Sequence, residues 1–240
     1  MSQVGQFFDE HAADYMSRDH GMRVFHEVTA RKIEAGVSGE VLCIGGLWAR
    51  ANVPDGVKIC VVDLSQAMLE TWARQGLATV QADARELPFP EGSFDHAVLP
   101  LMLHHVAGSS VAEAQAQATR VLAEVKRVLR PGGVCWISEF CVGPAVYALE
   151  RTFAPLTRRV LALGQIPLVV MHSSRFYREA LRAEGFVDIT VDAVVASRAR
   201  AWDTITPIIG LRWLKVPRLL YPLAPTLIQA RRANLETQDS

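Results

Sequence analysis

The chain has 240 residues, half of them hydrophobic, with 25 basic residues against 25 acidic ones; that is length and apolar content enough for one α/β domain with its own core. Balanced charge supplies no field that would favour nucleic acid or a strongly anionic substrate, so small-molecule work is the expected class. Cys43, Cys60, Cys135 and Cys141 have no metal-ligand spacing, no signal pattern opens the chain, and no apolar run reaches the roughly 18 residues of a spanning helix; the expectation is a reducing, cytoplasmic compartment and no metal site.

Taken in order, Gln6 to Ile33 carries apolar residues at helical spacing, broken near Gly21. This predicts two helices ahead of a sheet, within residues 1–38. Phe7, Phe8 and Phe25 suit packing, whereas Tyr15 is kept as a candidate polar group. Val41 to Ile44 is a short apolar run ending in Gly45-Gly46, and Lys58 to Val62 is a second one ending in Asp63. Two buried strands with glycine after the first and an acid at the tip of the second form a nucleotide-binding βαβ unit. The glycines let backbone approach a ligand, and a carboxylate can accept from both hydroxyls of a ribose.

Ser65 then caps a helix, Ala78 to Ala82 is a third strand ending in Asp83, and a proline-rich turn leads to a fourth strand, Asp95 to Leu99. Leu101 to Val106 follows it directly. Ala112 to Leu129 is an amphipathic helix with Leu122, Val125, Val128 and Leu129 on one face, stopped by Arg130-Pro131-Gly132-Gly133. Val134 to Glu139 is a fifth strand with an acid at its tip. Such alternation argues a parallel sheet with helices on both faces and ligands at the carboxyl ends of the strands. Gly45, Asp63, Asp83, His104 and Glu139 should therefore surround one crevice.

The runs Asp63 to Leu69 (DLSQAML), Ala82 to Phe89 (ADARELPF), Leu103 to Val106 (LHHV) and Glu124 to Gly133 (EVKRVLRPGG) resemble the class I S-adenosylmethionine-dependent methyltransferases. The similarity is to the small-molecule branch that includes quinone methyltransferases, and it extends from about Phe7 to about Val191. It implies a doubly wound, mainly parallel sheet of about seven strands. By the same resemblance Asp63 holds the ribose, Asp83 meets the adenine amino group, Leu64 and Ala84 flank the adenine, and Leu101 to His105 lines the crevice towards substrate. Gly45 and Gly46 belong to the same cofactor site. The first motif departs from the family: Cys43 stands where an acid is usual, and Leu47 and Ala49 replace glycines on either side of Trp48. The adenosine half of the site thus reads as intact and the methionine half as rebuilt.

Two functions follow. One is methyl transfer from S-adenosylmethionine to a small, mainly apolar acceptor, with His105 or His104 as the base where the acceptor is a phenol or an enol carbon. The other is cyclisation, isomerisation or elimination of an apolar molecule, with the cofactor absent or structural and with His104, His105, Glu139 and Tyr15 as the polar groups. A non-catalytic supporting subunit is the third reading.

Beyond the fifth strand, residues 141–172 form an apolar insert inside a core of 39–197, expected as a helical cover, and His172 in it is read as structural. Ser173 to Gly185 is a capped helix and Phe186 to Val195 a strand. The segment 198–240 holds seven basic residues, three acidic ones and four prolines among many apolar side chains. Packing back as a final strand and lid, burial in a homodimer, and contact with a membrane surface are its three placements. The first is preferred, since such a surface left exposed would be a liability.

Overall fold

Val41, Leu42, Cys43 and Ile44 are all buried, as a strand covered on both faces requires. They lie in β1 (Glu40–Ile44), within a computed structural model that describes residues 5–10, 23–46, 55–106, 108, 110–143, 152, 170–194, 204–205, 216–217 and 223–234. Residues 5–10 are helical, and α1 is Arg23–Glu34. β2 (Lys58–Asp63), α2 (Gln66–Ala73), β3 (Ala78–Gln81), β4 (Phe94–Pro100) and α3 (Val111–Val128) follow. β5 (Leu129–Val142), α4 (Ser174–Ala183), β6 (Phe186–Ala193), the short pair β7 (Thr204–Ile205) and β8 (Val216–Pro217), and β9 (Leu223–Arg232) complete the order.

The main sheet has seven strands in the order β3-β2-β1-β4-β5-β9-β6. Pairing is parallel from β3 to β5, and β9 runs antiparallel between β5 and β6. The order reverses direction beside β1, which places the ligand crevice at the carboxyl ends of β1 and β4. Side chains alternate between two cores. Leu42, Ile44, Ala97 and Leu99 face α3 and α4, with Leu122, Val125 and Leu181 packed on them. Val41, Cys43, Ile59 and Val61 face the other way, against Ile33 of α1 and Leu69 and Trp72 of α2. That period of two, flanked by helices of period 3.6, is the physical reason the sequence pattern was readable.

Serines set the helix starts. Ser65, Ser110 and Ser173 each accept from the backbone N–H three residues on, at 3.2, 3.1 and 3.1 Å. At the end of α3, Arg232 of β9 donates to the carbonyls of Lys126 (3.0 Å), Arg127 (3.2 Å) and Leu129, and also to Glu91. The last strand thereby ties off a helix that four residues of orphan carbonyls would otherwise leave open.

Two expectations change. Glu139 is not at a strand tip, because β5 continues to Val142, where Phe140, Cys141 and Val142 find partners in Pro225, Ala224 and Leu223. The segment 198–240 supplies β9 inside the sheet, so its preferred placement as a final strand holds while the boundary that set it apart from a core of 39–197 does not. Pro225 sits near the start of that strand, where a missing N–H is tolerated. The helical cover expected over 141–172 lies mostly outside the described residues, as do Tyr15, Leu47, Trp48 and Ala49.

Candidate functional site

β1 ends in two glycines with positive φ, Gly45 at 81° and Gly46 at 127°. A Cβ on Gly45 would lie 2.5 Å from the Cβ of Met102, so the turn after β4 dictates that glycine. A Cβ on Gly46 would meet no described atom within 4 Å. Leu101, directly after β4, also has positive φ, 52°, and its N–H donates to Ser138 O at 2.8 Å. A leucine in that region is strained, and it sits on the wall of the crevice.

A cavity of about 270 Å³ opens at these strand ends. It is bounded by Gly45, Asp63, Leu64, Asp83, Ala84, Leu101 and His105, and by Gly5, Phe8, Met68, Arg85, Met102 and Val106 among others. The structure therefore gathers Gly45, Asp63, Leu64, Asp83, Ala84, Leu101 and His105 at one cavity, but His104 and Glu139, expected at the same crevice, are not on its wall, because their pairing with each other turns them into the protein. Gly46 is buried beside Gly45 but is not on the wall.

Asp63 accepts from Ser65 N at 2.8 Å, and among the described residues no cation pairs with it. Burial pushes its carboxyl up to about 6, against the pull of the Ser65 and Leu64 N–H groups, and the nearby Asp9 carboxylate adds to the rise. Asp9, a residue the sequence reading did not single out, accepts from the Ser65 hydroxyl at 2.6 Å and from Ala67 N at 3.1 Å. It docks the helical residues 5–10 on the N-terminus of α2, where a negative charge is favoured. One aspartate in an ordinary amphipathic stretch carries no sequence signal for that role.

Asp83 has a different setting. Arg85 grips both its oxygens, Nη2 to Oδ2 at 2.5 Å and Nε to Oδ1 at 2.9 Å, and also reaches Gln117 at 3.2 Å. The guanidinium holds the Asp83 carboxyl below the usual carboxylate range.

On the far side of the cavity, Leu103–His105 forms one turn of 3-10 helix. Glu139, 0% exposed, accepts from Leu103 N at 2.8 Å and pairs with His104 Nδ1 at 2.7 Å. His105, on the cavity wall, lies with its ring centroid 4.1 Å from that of His104 and 5.0 Å from that of Phe8. Burial and the neighbouring His104 hold its pKa well below the usual histidine value, so its ring is neutral near pH 7. Among the described residues, no three His, Cys, Asp or Glu side chains gather as a metal ion would need, and no helix is long and apolar enough to cross a membrane.

These residues fit the adenosine half of S-adenosylmethionine. The Asp63 carboxyl, with no cation beside it among the described residues, lies on the cavity wall, and Leu64, Met68 and Ala84 offer apolar surface. Residues 47–54, which bear on the methionine half, lie outside the described residues.

Residues 40–137 match the family model described as a methyltransferase domain. The ubiquinone/menaquinone biosynthesis C-methyltransferase UbiE of Hahella chejuensis is 30% identical over 202 residues, covering 75% of this chain and 77% of that enzyme. The same-named enzyme of Desulfotalea psychrophila is 30% identical over 159 residues, covering 59% of this chain and 58% of its own length. In structure, a SAM-dependent methyltransferase from Thermotoga maritima is similar with a TM-score of 0.60 at 18% identity, covering 95% of this chain and 99% of that one.

Proposed function

The chain belongs to the class I S-adenosylmethionine-dependent methyltransferases, and from that premise we propose that it transfers a methyl group from this cofactor to a small, mainly apolar acceptor. The observation that carries the proposal is that one cavity is bounded by Asp63 at one side and by His105 at the other, so donor and acceptor would share a single space. Relatives named for C-methylation in ubiquinone and menaquinone biosynthesis support an apolar ring as the acceptor.

In this reading the Asp63 carboxylate accepts from the ribose hydroxyls, and Leu64, Met68 and Ala84 take the adenine. When bound, S-adenosylmethionine supplies a methyl group on a sulfonium sulfur, which keeps the bonding pair as the methyl leaves. Leu101, Met102 and Val106 keep water from the transfer. His105, whose neutral ring is on the cavity wall, is the base, and Glu139, paired with His104 Nδ1, fixes the turn that carries it. The acceptor atom's electron pair forms the new bond, and its proton goes to a ring nitrogen of His105.

Calorimetric titration with S-adenosylmethionine and S-adenosylhomocysteine tests the proposal. Micromolar binding of both is expected. Failure of both to bind would overturn it and favour the cofactor-free cyclisation, isomerisation or elimination that the altered first motif also allows.

A further inference from the structure

The helical residues 5–10 make a helix too short to hold its shape in water by itself. Contacts with the rest of the chain decide where it lies. Gly5 and Phe8, three residues apart and so on one face, both line the cavity, whereas Gln6 and Glu10 are exposed and bond to each other at 3.4 Å. Asp9 meets the start of α2 through the Ser65 hydroxyl and Ala67 N. One short turn therefore touches both ends of the site: Asp9 at the helix that follows Asp63, and Phe8 at His105.

Among the described residues that line the cavity, Phe8 and His105 alone carry rings. Their centroids lie 5.0 Å apart with planes at 84°, and the Phe7 ring meets Phe8 at 5.6 Å and 87°. Two edge-to-face contacts fix the orientation of the Phe8 ring. Leu101, Met102 and Val106, which share that end of the cavity, carry no ring and shield any apolar guest from water alike. A ring discriminates further, because its quadrupole attracts the edge or face of another ring beyond what burial supplies. Buried Ser65 secures the arrangement from behind: its N–H goes to Asp63 and its hydroxyl to Asp9. The acid assigned to the ribose and the turn that bears Phe8 thus share one serine.

We propose that Phe8 is a specificity-determining residue that selects an aromatic acceptor over a saturated one of like shape, and that Asp9 is the positioning residue that holds the turn carrying it. The inference rests on the methyl-transfer reading for the word acceptor, but the preference for a ring is testable apart from it. Asp9 acts through Phe8 and touches no substrate. Its two hydrogen bonds replace the stability that so short a helix lacks, and without them the aromatic corner opposite Leu101 is left to His105 alone.

The test titrates the full chain, with S-adenosylhomocysteine present, against 1-naphthol and against decahydro-1-naphthol, which has the same skeleton and hydroxyl but no aromatic ring. Wild type should bind 1-naphthol the more tightly, by about fivefold. Phe8→Leu should lose most of that preference and bind decahydro-1-naphthol as before, which also reports that the variant is folded. Asp9→Ala should lose the preference as well, and the double variant should lose no more than Phe8→Leu alone. Asp9→Asn, which keeps an acceptor oxygen for Ser65 and Ala67, should retain it. A wild type without preference, or an equal weakening of both probes in Phe8→Leu, would overturn the role of Phe8. An intact preference in Asp9→Ala, an equal weakening of both probes there, or losses that add in the double variant would overturn that of Asp9. S-adenosylhomocysteine titrated by itself tests the methyl-transfer reading separately: its failure to bind would leave the comparison of the two probes intact.

Discussion

Two carboxylates on parallel strands of one sheet, Asp63 at the end of β2 and Glu139 inside β5, are treated in opposite ways. Glu139 on β5 is filled by its own chain: Leu103 N, Phe140 N and His104 Nδ1 all lie within hydrogen-bond distance. Among the described residues Asp63 on β2 has backbone N–H groups alone, a second carboxylate nearby, and an open cavity in front. A buried acid whose capacity is used by the protein orients its neighbours. One held short of partners stores a demand that a ligand can meet. The first belongs with positioning a base and the second with binding a diol.

The largest effect is expected at the filled site. Glu139→Ala should lower unfolding stability by about 3 kcal/mol in urea melts, because it strips the acceptor from buried N–H groups. A loss under about 1 kcal/mol would mean that the carboxylate is not spent on the protein. Glu139→Gln keeps the shape but can present its amide N–H to His104, so nitrogen-15 spectra should show His104 moving its proton off Nδ1. Turnover should fall about tenfold with it, since the His104 ring packs on His105.

Asp63→Asn is next, and it should act in two directions. Ribose binding loses a charged acceptor, so affinity for S-adenosylhomocysteine should drop at least about tenfold. Stability should instead rise. The carboxyl ionises near 3.8 when unfolded and about 6 when folded, so its favourable contribution is complete below pH 4 and is lost as pH climbs through 6. At pH 8 the variant should therefore be more stable than wild type by up to about 3 kcal/mol, and at pH 4 no more stable. Wild-type affinity for the same ligand should strengthen as pH rises through 6, since the anion is the better acceptor. A pH-independent affinity would break the contrast with Glu139.

Much of this was legible before any coordinates. The apolar runs at Val41–Ile44 and Lys58–Val62 and the Ser65 and Ser173 caps are local signals, and local physics decides them. Asp63, Asp83 and His105 then came to one cavity because strand ends are fixed by topology. What stayed hidden depends on contacts distant in sequence. Nothing near Leu223 says that its strand will enter between β5 and β6, and so lengthen β5 past Glu139. Asp9 reaches Ser65 across 56 positions.

The smallest expected effect comes from the aspartate that the resemblance assigned to adenine. Asp83 already has both oxygens on Arg85, and with about a third of each side chain exposed the pair is worth about 1 kcal/mol or less. A carboxylate oxygen can still accept once more, so the pair does not bar an adenine amino group; it limits what is left to gain. Asp83→Asn should thus weaken S-adenosylhomocysteine binding by only about two- to fivefold, within the range of one neutral hydrogen bond, and by less than Asp63→Asn. Arg85→Met, which frees the carboxylate, should leave affinity unchanged or slightly improved. If Asp83→Asn proves the more damaging of the two aspartate variants, then Arg85 must release the carboxylate when ligand arrives. The demand attributed to Asp63 would in that case be shared by both strand ends.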